Sequence, residues 1–224
     1  GASLQDALDS GRDLRRATVL RVGIADALAK AMAFHVLEPA MALPEPPQLV
    51  CHAGGLASLL GELAVHRLDL VMSDVPAPAR LSVKVYTHLL GRTGMAFFAA
   101  PQLLKAAGLT ARRAQASFPA CLAQLPLLLP TSASALRARL DAWLRQQALA
   151  PTVAAEFDDS ALLKAFGREG QGVFAAPAVL AQEIVQQYQV SLLGCPEDVW
   201  EEFYAISVER RISHPAVAAI TAAA

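Results

Sequence analysis

The chain has 224 residues, 54% of them hydrophobic and 17% charged, with a formal net charge of −1 at pH 7. That length fits one large domain or two small ones with a sizeable core. The near-neutral charge argues against a surface that holds nucleic acid by itself, and no apolar run approaches the ~20 residues of a membrane span.

Residues 1–16 are polar and helix-prone. Residues 19–24 predict a first strand, and Ala25-Asp26-Ala27 leads into a helix up to about Met41. Pro44, Pro46 and Pro47 stiffen the loop that follows. Residues 48–52 are a second strand, Gly54-Gly55 turns the chain, and a helix covers 56–67. Leu56, Leu59, Leu60, Leu63 and Leu68 have helical spacing there. Residues 70–72 give a third strand ending at Ser73-Asp74, Pro76 and Pro78 break the chain, and residues 83–89 give a fourth. This βαβαβ order predicts a doubly wound sheet with right-handed crossovers. Residues 95–99 form a further strand, and 101–107 start a second layer of the same kind. Residues 127–129 are a strand between prolines. Thr131 and Ser132 then cap a helix over 135–147 whose core face carries Leu136, Leu140, Trp143 and Leu144.

Residues 153–157 are apolar enough for a strand, and Asp158, Asp159 and Ser160 offer N-cap side chains to a short helix over 161–166. Gly167, Gly170 and Gly172 end it, residues 173–176 form a buried strand, and Pro177 opens another helix. Such a βαβα unit sets its two strands parallel in one sheet. In such sheets ligands bind in the crevice at the carboxyl ends of the strands. Residues 188–193 give the last strand of this half, 199–208 return to the first half, and 215–223 form the final helix.

The acidic-capped helix followed by Gly170-x-Gly172-Val173-Phe174-Ala175-x-Pro177 resembles the second subdomain of LysR-type transcriptional regulators. Residues 89–101, LLGRTGMAFFAAP, resemble the crossover strand between the two subdomains. Residues 203–220, FYAISVERRISHPAVAAI, resemble the return into the first subdomain and its closing helix. Together these stretches are most similar to the NhaR branch, the activators of sodium/proton antiporter genes, from about Leu14 onward. The resemblance implies an α/β fold of two Rossmann-like subdomains joined by two crossover strands, as in periplasmic binding proteins. Residues 18–91 and 196–224 would form the first subdomain, 92–195 the second, and 1–17 the end of a linker helix or a cloning remnant. It also implies an effector-sensing and oligomerising domain, not an enzyme, working in the cytoplasm as a homodimer or homotetramer. Promoter DNA would be bound by an N-terminal winged helix-turn-helix outside this chain. A small effector is implied, with no cofactor and no membrane.

Ala25, Asp26, Ala27, Gly54, Gly55, Thr131, Asp158 and Phe174 are the candidate effector-binding residues. Each ends or follows a strand at its carboxyl end, or starts the next helix. For Asp26 and Asp158 helix capping is the ordinary reading. Converging with Asp74, they would also suit a hard cation held by oxygen ligands. The NhaR branch is linked to sodium, so resemblance and residue chemistry agree on a sodium ion as the candidate effector, contacted by Asp26 and Asp158. No basic group stands out near the cleft, so an anionic effector would have to rely on helix N-termini. His52 ends the second strand as a structural imidazole or a pH-sensitive lining group.

Cys51, Cys121 and Cys195 are odd in number and widely spaced, which reads as reduced thiols rather than a disulfide frame or a zinc site. The chain has no Gly-x-Ser-x-Gly, no His-Glu-x-x-His and no P-loop. Two rivals share the fold: a solute-binding protein of a transporter, and an enzyme on a binding-protein-like scaffold. The absence of a visible signal peptide and of a convergent acid, base or nucleophile counts against them. The edges expected to pair in a homodimer are the helix over 56–67 and the helix after Thr131, with residues 101–107 as the alternative edge.

Overall fold

The computed structural model describes residues 18–81, 83–208 and 215–222. The expected linker-helix tail and the Arg210-Arg211 pair therefore lie outside the described residues. Strand β1 (Val19–Ala25) runs parallel to β2 (Gln48–Gly54) on one side and to β3 (Leu70–Ser73) on the other. Parallel neighbours need a crossover, supplied here by α1 (Lys30–Met41) and α2 (Leu56–Ala64). Leu70 and Met72 point into a cluster with Leu20, Val22, Leu37, Ala216 and Ile220. Val71 points to the opposite face, against Leu59, Leu60 and Leu63 of α2. Both faces of β3 are thus covered, which is why it reads as a continuous apolar run. Strand β9 (Trp200–Ser207) returns antiparallel beside β3, and the last helix, α8 (Pro215–Ala222), packs on the α1 face.

The two predicted strands at 83–89 and 95–99 are one element, β4 (Tyr86–Ala99), of 14 residues. Gly91 sits where the β4–β9 register shifts between Leu89 and Gly91, a bulge that glycine tolerates. The amino-terminal part of β4 pairs with β9, and its carboxyl-terminal part with β7 (Phe174–Pro177) and β8 (Ser191–Gly194). The two expected sheets are therefore two ladders sharing β4, with hydrogen bonding continuous through it. The two halves are joined by β4 and β9, which lie side by side and antiparallel.

In the second half, β5 (Leu127–Pro130) and β6 (Val153–Phe157) are parallel, and a parallel bridge from Leu127 to Val173 connects β5 toward β7. The parallel strands predicted at 153–157 and 173–176 are thus not neighbours, because β5 lies between them. Phe97 and Phe98 face opposite ways by the strand period of two. Phe97 joins Leu127, Leu129, Leu140 and Trp143 beneath α3 (Pro101–Ala106), α4 (Ala111–Ser117) and α5 (Ala135–Gln146). Phe98 joins Leu128, Leu163, Phe174 and Ile184 beneath α6 (Ser160–Arg168) and α7 (Ala181–Tyr188). Helix α4, capped by Thr110, has no apolar periodicity and was not predicted. The chain from Tyr188 is helix and turn until β8 starts at Ser191, because Gln189 takes a left-handed conformation with φ of 52°.

Candidate functional site

The carboxyl ends of β1 and β3 face the loops after β5 and β6 across a cleft. The chain after β1 does not become helical until Lys30, and the N-cap of α1 is Ala29, with no side-chain cap. Asp26 is therefore not the cap that the ordinary reading made it. Its backbone carbonyl instead accepts a hydrogen bond from the Ser160 amide at 3.1 Å, across the cleft. The Ser160 hydroxyl donates to the Leu28 carbonyl at 3.1 Å, a second bond between the halves. Asp159, not Asp158, caps α6: its carboxylate accepts from the amides of Ala161 at 2.7 Å and Leu162 at 3.0 Å. Asp158 is left to accept from the Thr131 hydroxyl at 2.5 Å. The predicted caps of α5, Thr131 and Ser132, give way to Ser134, whose hydroxyl accepts from the Leu136 amide at 3.2 Å. That same hydroxyl donates to Asp74 at 2.8 Å, so it ties the end of β3 to the start of α5.

Two cavities open between the halves. The larger, of about 140 Å³, is lined by Ala25, Asp26, Ala27, Gly55, Leu56, Asp74 and Val75 from one side and by Ala133 and Asp158 from the other. The smaller, of about 40 Å³, shares Ala27 and Asp158 and continues to Ser134, Ser160, Lys164 and Glu201. Of the predicted residues, Ala25, Asp26, Ala27, Gly55 and Asp158 come together on the larger cavity. Thr131 reaches it through Asp158, and Gly54 through its carbonyl, which accepts from the Asp26 amide at 3.0 Å. Phe174 does not join them. It is 1% exposed and stacks on Phe98 with ring centroids 5.5 Å apart, facing the core. His52 is exposed on β2.

The expectation that no basic group lies near the cleft fails at Lys164, which is 7% exposed and lines the smaller cavity. Burial lowers its ammonium pKa, while the Glu201 carboxylate opposes that fall. Glu201, only 3% exposed, is pushed up to about 8 by burial and by Asp74, against the pull of Lys164 and Arg139. Burial also raises Asp74, and its bond from Ser134 opposes the rise. Sequence reasoning passed over Lys164 because a helical lysine is read as solvated, yet it lies three residues before Gly167 on the buried face of α6. Glu201 had a readable signal: by the strand period it shares a face with Phe203 and Ala205, both core residues. Among the described residues, no group of three or more His, Cys, Asp or Glu is arranged to hold a metal ion, and no helix is long and apolar enough to cross a membrane.

Residues 15–224 match the family described as the LysR substrate binding domain. The chain is 36% identical over 196 residues to the transcriptional activator protein NhaR of Escherichia coli K12, covering 88% of this chain and 62% of that protein. It thus spans less than two thirds of that relative's length. Among solved structures it is similar to the apo regulatory domain of HypT from Salmonella typhimurium, with a TM-score of 0.64 at 17% identity over 90% of this chain and 91% of that one. It is also similar to Vibrio fischeri DarR, solved in complex with DNA, with a TM-score of 0.64 at 21% identity over 97% of this chain and 71% of that one. At those identities the structural likeness speaks for the fold, and the fold is that of a regulatory domain with two α/β halves around a cleft. With the family match spanning nearly the whole chain, the protein belongs to the LysR substrate-binding-domain family.

Proposed function

We propose that this domain is the effector sensor of an NhaR-like, LysR-type transcriptional regulator that responds to sodium or to pH. The observation that carries the reading is the cavity of about 140 Å³ between the halves, lined by Asp26 and Asp74 on one side and by Asp158 on the other. A small ligand there contacts both halves, so it favours one of their arrangements by its difference in affinity for the two. Residues 18–91 with 196–224, and 92–195, are the two subdomains that would move. The protein would act in the cytoplasm, as a regulator and not an enzyme. Promoter DNA would be contacted by a winged helix-turn-helix beyond this chain. Dimer or tetramer contacts are supported by β2 and β6, which stand at the outer edges of their ladders. Unpaired edges of that kind invite strand-to-strand or helix cover.

Calorimetry with sodium, lithium and potassium chloride at matched ionic strength tests the sodium reading. Sodium should give a saturable heat that potassium does not, and Asp26→Asn and Asp158→Asn should each abolish it without a loss of stability. Identical heats for the three salts would refute it. Lys164 on the smaller cavity favours a second reading, a small anionic effector. Binding that follows the anion of the salt and is lost in Lys164→Met would select it.

A further inference from the structure

Two buried ionisable side chains, Lys164 of α6 and Glu201 of β9, line the smaller cavity at 7% and 3% exposure. Among the described residues neither side chain makes a hydrogen bond, and no ion pair joins them; their attraction acts across a gap. A buried ammonium has three N–H donors, and such groups are rarely left without an acceptor. The two serines on that cavity donate elsewhere, Ser134 to Asp74 and Ser160 to the Leu28 carbonyl. Lys164 therefore calls for an acceptor from outside the protein. The larger cavity calls for the opposite. Asp26 and Asp74 line it, and Asp158 lines both cavities. Ionised carboxylates accept hydrogen bonds and cannot donate them. A cation alone satisfies the aspartates and leaves Lys164 bare, and a simple anion does the reverse. A ligand that carries both signs satisfies both cavities.

We propose that the cleft takes a small basic amino acid of the lysine, ornithine or arginine kind, with its carboxylate on Lys164, its α-ammonium at Asp158 and its side-chain cation toward Asp26 and Asp74. The inference rests on the reading of the cleft as the effector site, and adds an organic ligand to it. Size agrees with this placement. The smaller cavity, about 40 Å³, has room for about three water-sized groups, which suits a carboxylate. Asp158 is common to both linings and so marks their junction, where the α-ammonium would sit. The cavity of about 140 Å³ beyond it receives the side chain. Charge agrees as well. Three aspartates against one lysine leave an excess of negative charge, which a ligand with two cations and one carboxylate offsets. Burial pushes Glu201 up to about 8, so near neutral pH it keeps its proton and faces the ligand carboxylate as a donor. Asp26 and Asp74 belong to one half and Asp158 and Lys164 to the other, so the ligand bridges the halves and favours their closed arrangement.

Calorimetry on the intact chain in sodium-free potassium buffer at neutral pH tests this with L-lysine, L-ornithine and L-arginine beside two truncated probes. Norleucine lacks the side-chain cation, and cadaverine lacks the carboxylate. At least one basic amino acid should give a saturable heat. Each truncated probe should bind about tenfold more weakly or worse, the effect of losing one charge-assisted hydrogen bond. Lys164→Met should bring the basic amino acid down to the level of cadaverine while leaving cadaverine no weaker, because only the carboxylate contact is removed. Cadaverine or norleucine binding as tightly as the basic amino acids overturns the proposal. So does the lack of a saturable heat from all three amino acids at millimolar concentration. If Lys164→Met fails to fold, the ranking of the probes on the parent still decides. A saturable sodium heat beside silent amino acids removes the ligand class alone and leaves the effector reading standing. Silence toward sodium and the amino acids alike removes the sodium reading as well.

Discussion

Gly167 and Gly61 are both helical glycines, and replacing each by alanine should move stability in opposite directions. In the middle of a helix Gly→Ala by itself gains about 1 kcal/mol. At Gly61 on α2 a new methyl group meets nothing within 4 Å, so that gain should appear almost whole. At Gly167 on α6 the same methyl would lie 2.2 Å from Cδ1 and 2.4 Å from Cε1 of Phe174. That ring cannot swing away, because it is 1% exposed and stacked on Phe98. Overpacking of this kind costs about 1–3 kcal/mol, and a two-atom clash with a fixed ring belongs at the upper end. Set against the propensity gain, Gly167→Ala should lose roughly 2 kcal/mol. The two variants should then differ by roughly 3 kcal/mol, or about 6–12 °C in melting temperature for a protein of this size. Urea denaturation of parent and both variants measures the difference. Because α6 also carries Ser160 and Lys164, Gly167→Ala should disturb the cleft as well. A Gly167→Ala variant as stable as Gly61→Ala would show that α6 is not seated on Phe174 in this way.

Asp159→Ala should cost about 1 kcal/mol by removing the N-cap of α6, while Asp159→Asn should cost little, both read by thermal denaturation. The half-exposed ion pair of Asp159 with Lys30, at 3.9 Å, adds nothing to that sum. Because the folded pKa of Glu201 is raised, its contribution to stability declines as pH climbs from about 4.5 toward about 8 and is constant beyond. The stability difference between Glu201→Gln and parent should therefore shift in the variant's favour by up to about 1.4 kcal/mol per pH unit in that window. Urea titrations at pH 6 and pH 8 measure it, and an unchanged difference would contradict the assignment.

Much of the fold is legible where the local pattern and the tertiary environment agree. Leu136, Leu140, Trp143 and Leu144 repeat at helical spacing, and all four are buried under the second ladder. Leu70 to Met72 is apolar at every position, and both faces of β3 are covered. The misses occur where a residue's partner is far away in sequence. Residues 90–94 look like a gap between two strands until β9 is seen to pair along them through Gly94. Asp26 looks like a cap until α1 is seen to begin four residues later, leaving its carbonyl for Ser160. Phe174 ends up core-facing because strand parity, not proximity to a strand end, sets which way a side chain points. Lys164 is legible only once Glu201 and Asp74 are known to sit in the same buried neighbourhood.

Strand β4 has a practical consequence for anyone who wishes to take the molecule apart. It belongs to both ladders, so a boundary drawn at any residue within 86–99 divides a strand and not a linker. A fragment that keeps Tyr86–Leu89 but loses the rest leaves the amino-terminal end of β9 without the neighbour that pairs from Gly91 to Gly94. The complementary fragment would keep Met95–Ala99 against β7 and β8 but leave Gly91–Gly94 without the first-half strand ladder that β9 belongs to. Either piece would present a row of unpaired backbone N–H and C=O groups, the kind of edge along which chains associate. The two halves are thus separable in a drawing but not in a test tube, and dissection should proceed by substitution within the intact chain.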